Sequence, residues 1–112
     1  NAPFGAKVTF APGERGTAFS TDTTSPAARV ALWALEESWG VKAVEMGIGG
    51  SIPFIADLVD IYPEAQILGT GAEDPDSRAH SANESLHIGD FRHAVLAEAL
   101  MLARLNASGL GE

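Results

Sequence analysis

The stretch Ala79-His80-Ser81-Ala82-Asn83-Glu84 closes a polar loop that begins at Gly69. A short apolar run at 65–68 precedes this loop, and a long apolar helix pattern follows it from Asp90. These flanking patterns predict a strand before the loop and a helix after it. Ligands of open α/β sheets collect where loops at the carboxyl ends of strands meet helix starts, so His80 is a candidate functional side chain. The same residues also fit an ordinary surface turn.

Composition and charge limit the classes of protein to consider. The chain has 112 residues, of which 46% are hydrophobic, and this is enough for one compact core. Its formal net charge of -8 repels phosphate backbones and anionic lipid headgroups, so we expect neither nucleic acid nor a membrane as a partner. Cysteine is absent, so any metal must use His and carboxylate ligands. The sequence has no signal-peptide or transmembrane pattern, and we expect a cytoplasmic protein.

The first predicted helix has residues suited to both of its ends. Ser25 is the expected N-cap, and Pro26 follows at the first helical position, where its missing N–H costs nothing. The apolar spacing continues to Trp39, and Gly40 is suited to a left-handed stop.

Two further helices are predicted from apolar spacing. One starts at Pro53 and ends at Tyr62-Pro63, because the residue before a proline avoids the helical conformation. The other starts at Asp90, which can cap it, and we expect the tail at 106–112 to fray.

Strand patterns alternate with these helices at 6–10, 43–46 and 65–69. The resulting order of strand, helix, strand, helix, strand, helix is typical of a parallel sheet covered by helices. The sequence therefore predicts an α/β fold with a small, mostly parallel sheet flanked by helices.

A glycine-rich turn, Gly49-Gly50-Ser51, lies between the second strand and the second helix of this prediction. Free amide N–H groups at the helix start, aided by the helix dipole, favour binding of a carboxylate, and Ser51 adds a hydroxyl. The same residues also fit a tight turn with Ser51 as its cap. A serine-nucleophile elbow is a weaker alternative, because Pro53 stands where that motif needs glycine.

Two motifs about thirty residues apart, Gly49-Gly50-Ser51-Ile52-Pro53 and His80-Ser81-Ala82-Asn83-Glu84, carry a family resemblance. In order and spacing they resemble the C-terminal end of the aminoacylase/carnosinase-like zinc metallopeptidases, which include dipeptidases, glutamate carboxypeptidases and succinyl-diaminopimelate desuccinylases. The resemblance implies a parent enzyme that hydrolyses the amide bond of dipeptides or N-acyl amino acids. It also implies a two-zinc site, with cobalt or manganese as alternative metals.

The resemblance assigns roles to five residues and assigns no catalytic residue to this chain. His80 matches the histidine that completes the metal site from the C-terminal side. Gly50 and Ser51 match the clamp on the substrate's main chain and free carboxylate. Asn83 and Glu84 match groups that orient the His80 loop without binding metal.

Ile48 departs from the pattern of the family. It stands where cytosolic dipeptidases of this family carry an acidic residue, so substrates that are N-acylated or aliphatic are also open. The acidic residues at 73–76 are expected to be solvated, with a turn at Asp74-Pro75. His87 is expected at the surface and His93 on the side of a helix, although both could join His80 in a smaller metal site.

We expect the chain to be an excised piece of a longer protein, because Asn1-Ala2 resembles a remnant of tag removal. Residues 1–12 would hold that remnant and the last strand of a lid or dimerisation domain. Residues 13–112 would form the C-terminal part of the catalytic domain. The resemblance places the remaining ligands and the general base in an absent N-terminal half, so we expect the piece to be inactive and to bind metal weakly. The expected partners are the absent N-terminal half and the substrate. A homodimer is a further alternative.

The competing interpretation is a non-catalytic α/β module. Such a module would bind a small anion at the Gly-Gly-Ser helix start, or a partner chain along an exposed sheet edge. Apolar surface left uncovered by the absent half also predicts self-association.

Overall fold

The structure is a computed structural model that describes residues 3–13, 19–47 and 53–109. These residues form three α-helices and one 3-10 turn: α1 (Pro26–Trp39), α2 (Pro53–Ile61), α3 (Ile88–Ser108) and the turn Pro3–Gly5. Helices α1 and α3 pack against each other, and α2 packs against neither of them. The radius of gyration is 18.3 Å, compared with about 13 Å for a compact chain of this length. The fold is therefore one helix pair with extended connections.

The predicted α/β fold is wrong, because the residues that the structure describes contain no strand. The segments 6–10, 43–46 and 65–69 are irregular, and Val8 and Phe10 are 75% and 86% exposed. Alternating apolar residues indicate which faces a strand would have, but its hydrogen bonds must come from a neighbouring strand. Within 3–13, 19–47 and 53–109, no strand lies beside these segments. Residues 3–12 form no strand in the structure, and their assignment to a lid or dimerisation domain stays a prediction.

Helix α1 confirms the predicted end residues. Ser25 has an extended backbone, and its side chain accepts a hydrogen bond from the Ala28 N–H at 3.3 Å. Pro26 occupies the first helical position. Gly40 adopts a left-handed conformation with φ of 68°, and its N–H donates to the Glu36 carbonyl at 2.8 Å. These interactions depend on neighbouring residues alone, which is why the sequence predicted them.

Polar contacts also fix the segment that leads into α1. The Asp22 carboxylate accepts hydrogen bonds from the Thr24 hydroxyl at 2.6 Å and the Thr24 N–H at 2.9 Å. These bonds, with a smaller contribution from Arg29, lower the pKa of Asp22 below its usual 3.8. The Gln66 side chain accepts from the Ala27 N–H at 2.9 Å, so the segment before the loop is attached to the α1 start.

The ends of α3 differ from the prediction. The N-cap is His87, whose Nδ1 atom accepts from the Asp90 N–H at 3.2 Å, so the expected cap at Asp90 is wrong. Asp90 lies instead in the first turn, where a negative charge is favourable. Helix α3 continues through Asn106 to Ser108, beyond the point where fraying was expected, and Gly109 ends it at φ of 69°. The predicted span of α2 is confirmed.

Mostly small side chains are buried in the helix pair of α1 and α3. The apolar residues that the described part of the chain buries are Ala28, Ala34, Ala97 and Met101. Such small residues let two helices approach closely, but each buries little apolar surface. None of the described helices combines the length and apolar character needed to cross a bilayer.

Two reciprocal hydrogen bonds join α1 to α3. The Ser38 hydroxyl donates to the His93 carbonyl at 2.6 Å, and His93 Nδ1 lies 2.5 Å from the Ser38 carbonyl oxygen. Because a carbonyl only accepts, Nδ1 must carry a proton. The His93 ring also lies against Trp39, with ring centroids 5.3 Å apart. Farther along the pair, the Arg104 guanidinium lies 4.0 Å from the Trp33 ring centroid.

Replacing Ser38 with alanine tests this connection. Ser38→Ala leaves the half-buried His93 carbonyl without its hydroxyl donor, and we expect the free energy of unfolding to fall by about 1–3 kcal/mol. Chemical denaturation followed by circular dichroism measures the change. Ser108→Ala is the control, because the Ser108 hydroxyl donates to a carbonyl at the exposed end of α3 and water can replace it. Equal effects of the two substitutions would contradict a specific role for Ser38.

Candidate functional site

The polar loop that leads from the 65–69 segment to α3 is attached to the helix pair at its start. The Thr70 hydroxyl hydrogen-bonds the Glu98 carboxylate on α3. The loop then turns at Asp74-Pro75, where the Ser77 N–H donates to the Asp74 carbonyl at 3.1 Å. This turn confirms the prediction from the sequence.

Ser77 organises the interior of the loop. It is only 2% exposed, and its hydroxyl donates to Asp74 Oδ1 at 3.1 Å while accepting from the Asp74 N–H at 2.9 Å. Asp74 Oδ1 also accepts from the Asp76 N–H at 2.8 Å. The Ser77 carbonyl accepts from the Ser85 N–H at 3.0 Å, which closes the loop. The expectation of a solvated side chain is therefore wrong for Asp74, since the residue is half-buried and its carboxylate is hydrogen-bonded.

The backbone between these anchors adopts an unusual conformation. Arg78, His80 and Asn83 have φ values of 56°, 61° and 61°, in the left-handed region. That region costs a residue other than glycine about 1–2 kcal/mol, although Asn and His enter it more readily than most. Ser81 supports the turn locally, because its hydroxyl and N–H both donate to the Arg78 carbonyl, at 2.6 and 3.1 Å. Such conformations persist where the surrounding structure enforces them.

His80 lies at the exposed tip of this strained loop. Its imidazole makes no hydrogen bond or ion pair with any residue that the structure describes. Asn83 and Glu84 are exposed as well, and neither side chain contacts His80 through a hydrogen bond. The imidazole is thus available to a ligand, while the orienting role predicted for Asn83 and Glu84 stays a prediction.

The described residues do not form a two-metal centre around His80. Within the described ranges, the group of His and carboxylate side chains close enough to hold an ion consists of Asp74, His87 and Asp90, and His80 is not in it. A single exposed imidazole does not by itself fit a two-metal site.

The predicted carboxylate clamp falls on residues that the structure does not describe. Gly50 and Ser51 lie between the described ranges 19–47 and 53–109. Ile48, which bears on substrate specificity, lies there too. The binding role of Gly50 and Ser51 and their distance from His80 stay predictions.

The cluster of Asp74, His87 and Asp90 was missed from the sequence. Its potential ligand atoms lie within 4.8 Å of one another. His87 is exposed, as expected, but its Nδ1 atom also lies 2.9 Å from Asp90 Oδ2. The one available indication was the three-residue spacing of His87 and Asp90 at a helix start, since side chains so spaced are neighbours on a helix. Nothing local predicted that Asp74 would join them.

A cysteinylglycine-S-conjugate dipeptidase of Corynebacterium striatum is 33% identical to this chain over 102 residues. The chain is similar to a dipeptidase. The match covers 90% of this chain and 22% of that enzyme, so the chain spans about a fifth of the length of the curated relative it matches. This similarity supports the resemblance to dipeptidase-like metallopeptidases and does not resolve the subfamily.

The other two comparisons found no relative. No protein-family model matches the chain, and no solved structure matches it.

The loop geometry makes Ser77 a sensitive position. Ser77→Ala removes a buried hydroxyl that bonds both the N–H and the carboxylate of Asp74, so we expect a loss of about 1–3 kcal/mol of unfolding free energy. Ser81→Ala, at an exposed serine of the same loop, should cost less than about 1 kcal/mol, because water can replace its bond. Thermal denaturation compares the two variants. A larger loss for Ser81→Ala would refute Ser77 as the anchor of the loop.

Proposed function

We propose that this chain is the C-terminal part of a metal-dependent dipeptidase that hydrolyses the amide bond of dipeptides or N-acyl amino acids. The observation that carries the proposal is the similarity to a dipeptidase along 90% of the chain. The name of that relative supports a dipeptide substrate, whereas Ile48 keeps N-acylated and aliphatic substrates within the proposal. Cytosol is the proposed compartment.

His80 is the proposed metal ligand. Its exposed imidazole, free of bonds to described residues, supports this role, since a neutral imidazole is a good ligand for zinc and also suits cobalt or manganese. The buried bonds around Ser77 hold the backbone that presents it. Loop strain at a ligand position agrees with the general tendency of such strain to concentrate at functional sites.

The substrate carboxylate is the proposed ligand of Gly50 and Ser51. In the sequence Ser51 stands two residues before Pro53, where α2 begins, and free N–H groups at a helix start favour binding of an anion. In this proposal Asn83 and Glu84 orient the loop, and the remaining metal ligands and the general base come from the rest of a longer polypeptide.

That remainder is also the proposed partner of the apolar surface. Helix α2 contacts neither other helix and exposes Phe54 by 62% and Ile61 by 64%. Val44 in the connection before α2 is 84% exposed. Large exposed apolar surface typically marks a contact with another chain or domain. A homodimer through the same surface is the secondary proposal.

Two assays test the proposal. The chain of 112 residues, supplied with zinc, cobalt or manganese, should hydrolyse dipeptides no faster than the free metal does, because it offers one ligand of the proposed centre. In the longer polypeptide, His80→Ala should lower kcat/KM by about 100-fold or more, since ligand loss exceeds the effect of removing a supporting group. Glu73→Gln, at an exposed position of the same loop, is the control and should change it little.

Specific outcomes would overturn the proposal. Robust hydrolysis by the isolated chain would refute the claim that essential groups lie elsewhere. Full activity of the His80→Ala enzyme would refute the assignment of His80. An upstream reading frame without a His-x-Asp motif and paired acidic residues would remove the metal centre that the proposal requires.

A further inference from the structure

We propose that Glu98 is a positioning residue, which orients the polar loop at 70–86 through its hydrogen bond to Thr70 and so places His80 without touching it. The Thr70 hydroxyl donates to Glu98 Oε1 across 28 positions of the sequence. Among the described residues, no other hydrogen bond joins residues 70–86 to a helix. The consequence for hydrolysis rests on the proposed function, whereas the orientation of the loop does not.

Residues 74–85 form a unit that is held by its own hydrogen bonds. The Ser77 hydroxyl bonds both the N–H and the carboxylate of Asp74, and the Ser85 N–H donates to the Ser77 carbonyl at 3.0 Å. These bonds fix the shape of the unit, including its left-handed residues. They do not fix its orientation, because none of them reaches α1 or α3. The orientation must come from the places where the unit is connected to the helices.

Both connections lead to α3. At one end the chain passes directly into the cap residue His87, and at the other end Thr70 is bonded to Glu98. Glu98 lies about three helical turns beyond His87, so the two connections are about 16 Å apart along the helix axis. A unit connected at one end can rotate about the backbone bonds at that end. A second connection at this distance removes that rotation.

The approach of Asp74 to the start of α3 does not replace the bond to Glu98. The Asp74 carboxylate lies within 4.8 Å of side-chain atoms of His87 and Asp90 but forms no hydrogen bond with either residue. Two carboxylates meet there, and like charges repel each other. This contact therefore brings the loop near the helix start without holding it.

The surroundings of Glu98 suit it to hold the loop start. Glu98 is half-buried, and its carboxylate accepts no hydrogen bond from any other described residue. Thr70 and Glu98 line a cavity of about 20 Å³ together with apolar side chains of both helices, among them Leu35, Trp39 and Met101. The bonded pair thus lies at the cleft between α1 and α3. A hydrogen bond that a carboxylate accepts is also stronger than one between neutral groups.

Residual dipolar couplings of backbone N–H bonds test the orientation in the chain of 112 residues. In the unsubstituted chain, the couplings of residues 74–85 and of α3 should fit one alignment frame. Thr70→Val and Glu98→Ala each remove the bond, so the couplings of 74–85 should shrink and leave that frame while the Ser85 amide stays protected from exchange. Glu98→Gln keeps an oxygen acceptor and should keep the single frame. Glu37→Ala, at an exposed glutamate of α1, is the matched control and should keep it too.

Hydrolysis of S-methylcysteinylglycine by the longer polypeptide tests the consequence for the proposed function. Thr70→Val and Glu98→Ala should lower kcat by about tenfold and change KM little, because a misplaced His80 impairs the reaction more than the binding of substrate. Glu98→Gln should restore kcat to within about threefold of the unsubstituted enzyme, since it restores the bond. Glu37→Ala should leave both constants unchanged.

Each outcome decides a separate claim. A single alignment frame in both Thr70→Val and Glu98→Ala would overturn the inference. So would loss of Ser85 protection in Thr70→Val, because the loop would then lack the separate stability that the inference requires. Full activity of both variants in a polypeptide that His80→Ala inactivates would overturn the positioning role and leave the peptidase proposal standing. Full activity of His80→Ala would refute the role of His80 in the proposed function, while a shift of the couplings would still support orientation by Glu98.

Discussion

The exchange of hydrogen bonds between Ser38 and His93 fixes how α1 and α3 meet, and the rest of the structure depends on that arrangement. The buried apolar side chains of the described residues are three alanines and Met101, and the short alanine side chains tolerate sliding of one helix along the other. Directional bonds between a side chain and a backbone carbonyl on each helix do not tolerate it, because hydrogen-bond strength falls steeply with misalignment. The Ser38–His93 pair therefore sets the register of α1 against α3, while burial of apolar surface supplies part of the free energy of folding.

That register determines where the polar loop can lie. Its start is bonded to Glu98 in the middle of α3, and its end is the His87 cap of the same helix. Between these points the loop is held by hydrogen bonds of the buried Ser77 to Asp74, where a larger protein would use a hydrophobic core. A polar network of this kind specifies one conformation well when all its members are bonded. It can consequently hold three residues in the left-handed region and keep His80 exposed.

The sequence predicted those features that depend on neighbouring residues. Ser25, Pro26 and Gly40 determine the ends of α1 through bonds within one helical turn, and the structure confirms them. The expected strand at 6–10 failed because pairing depends on a distant segment that alternation alone cannot identify. The cap at His87 was missed because His is outside the usual N-cap residues and Asp90 offered a more typical alternative.

The candidate site also combines features that local sequence patterns predict with features that depend on the tertiary structure. The position of His80 in a loop before a long helix followed from local patterns, whereas the approach of Asp74 to His87 depends on how the loop folds back. The chain is similar to a dipeptidase, and its own hydrogen bonds explain how the loop that contains His80 is held. The roles of Gly50 and Ser51 still depend on the motif resemblance, because they lie outside the described ranges.

The central claim is that the chain itself enforces the conformation in which His80 is presented. NMR measurement of the backbone at Arg78, His80 and Asn83 tests this claim most directly. The account predicts strong intraresidue contacts between amide and α protons at all three positions, as left-handed residues show, together with slow exchange of the Ser85 amide. Contacts typical of an extended chain, with Ser85 exchanging as freely as in an unfolded peptide, would contradict it.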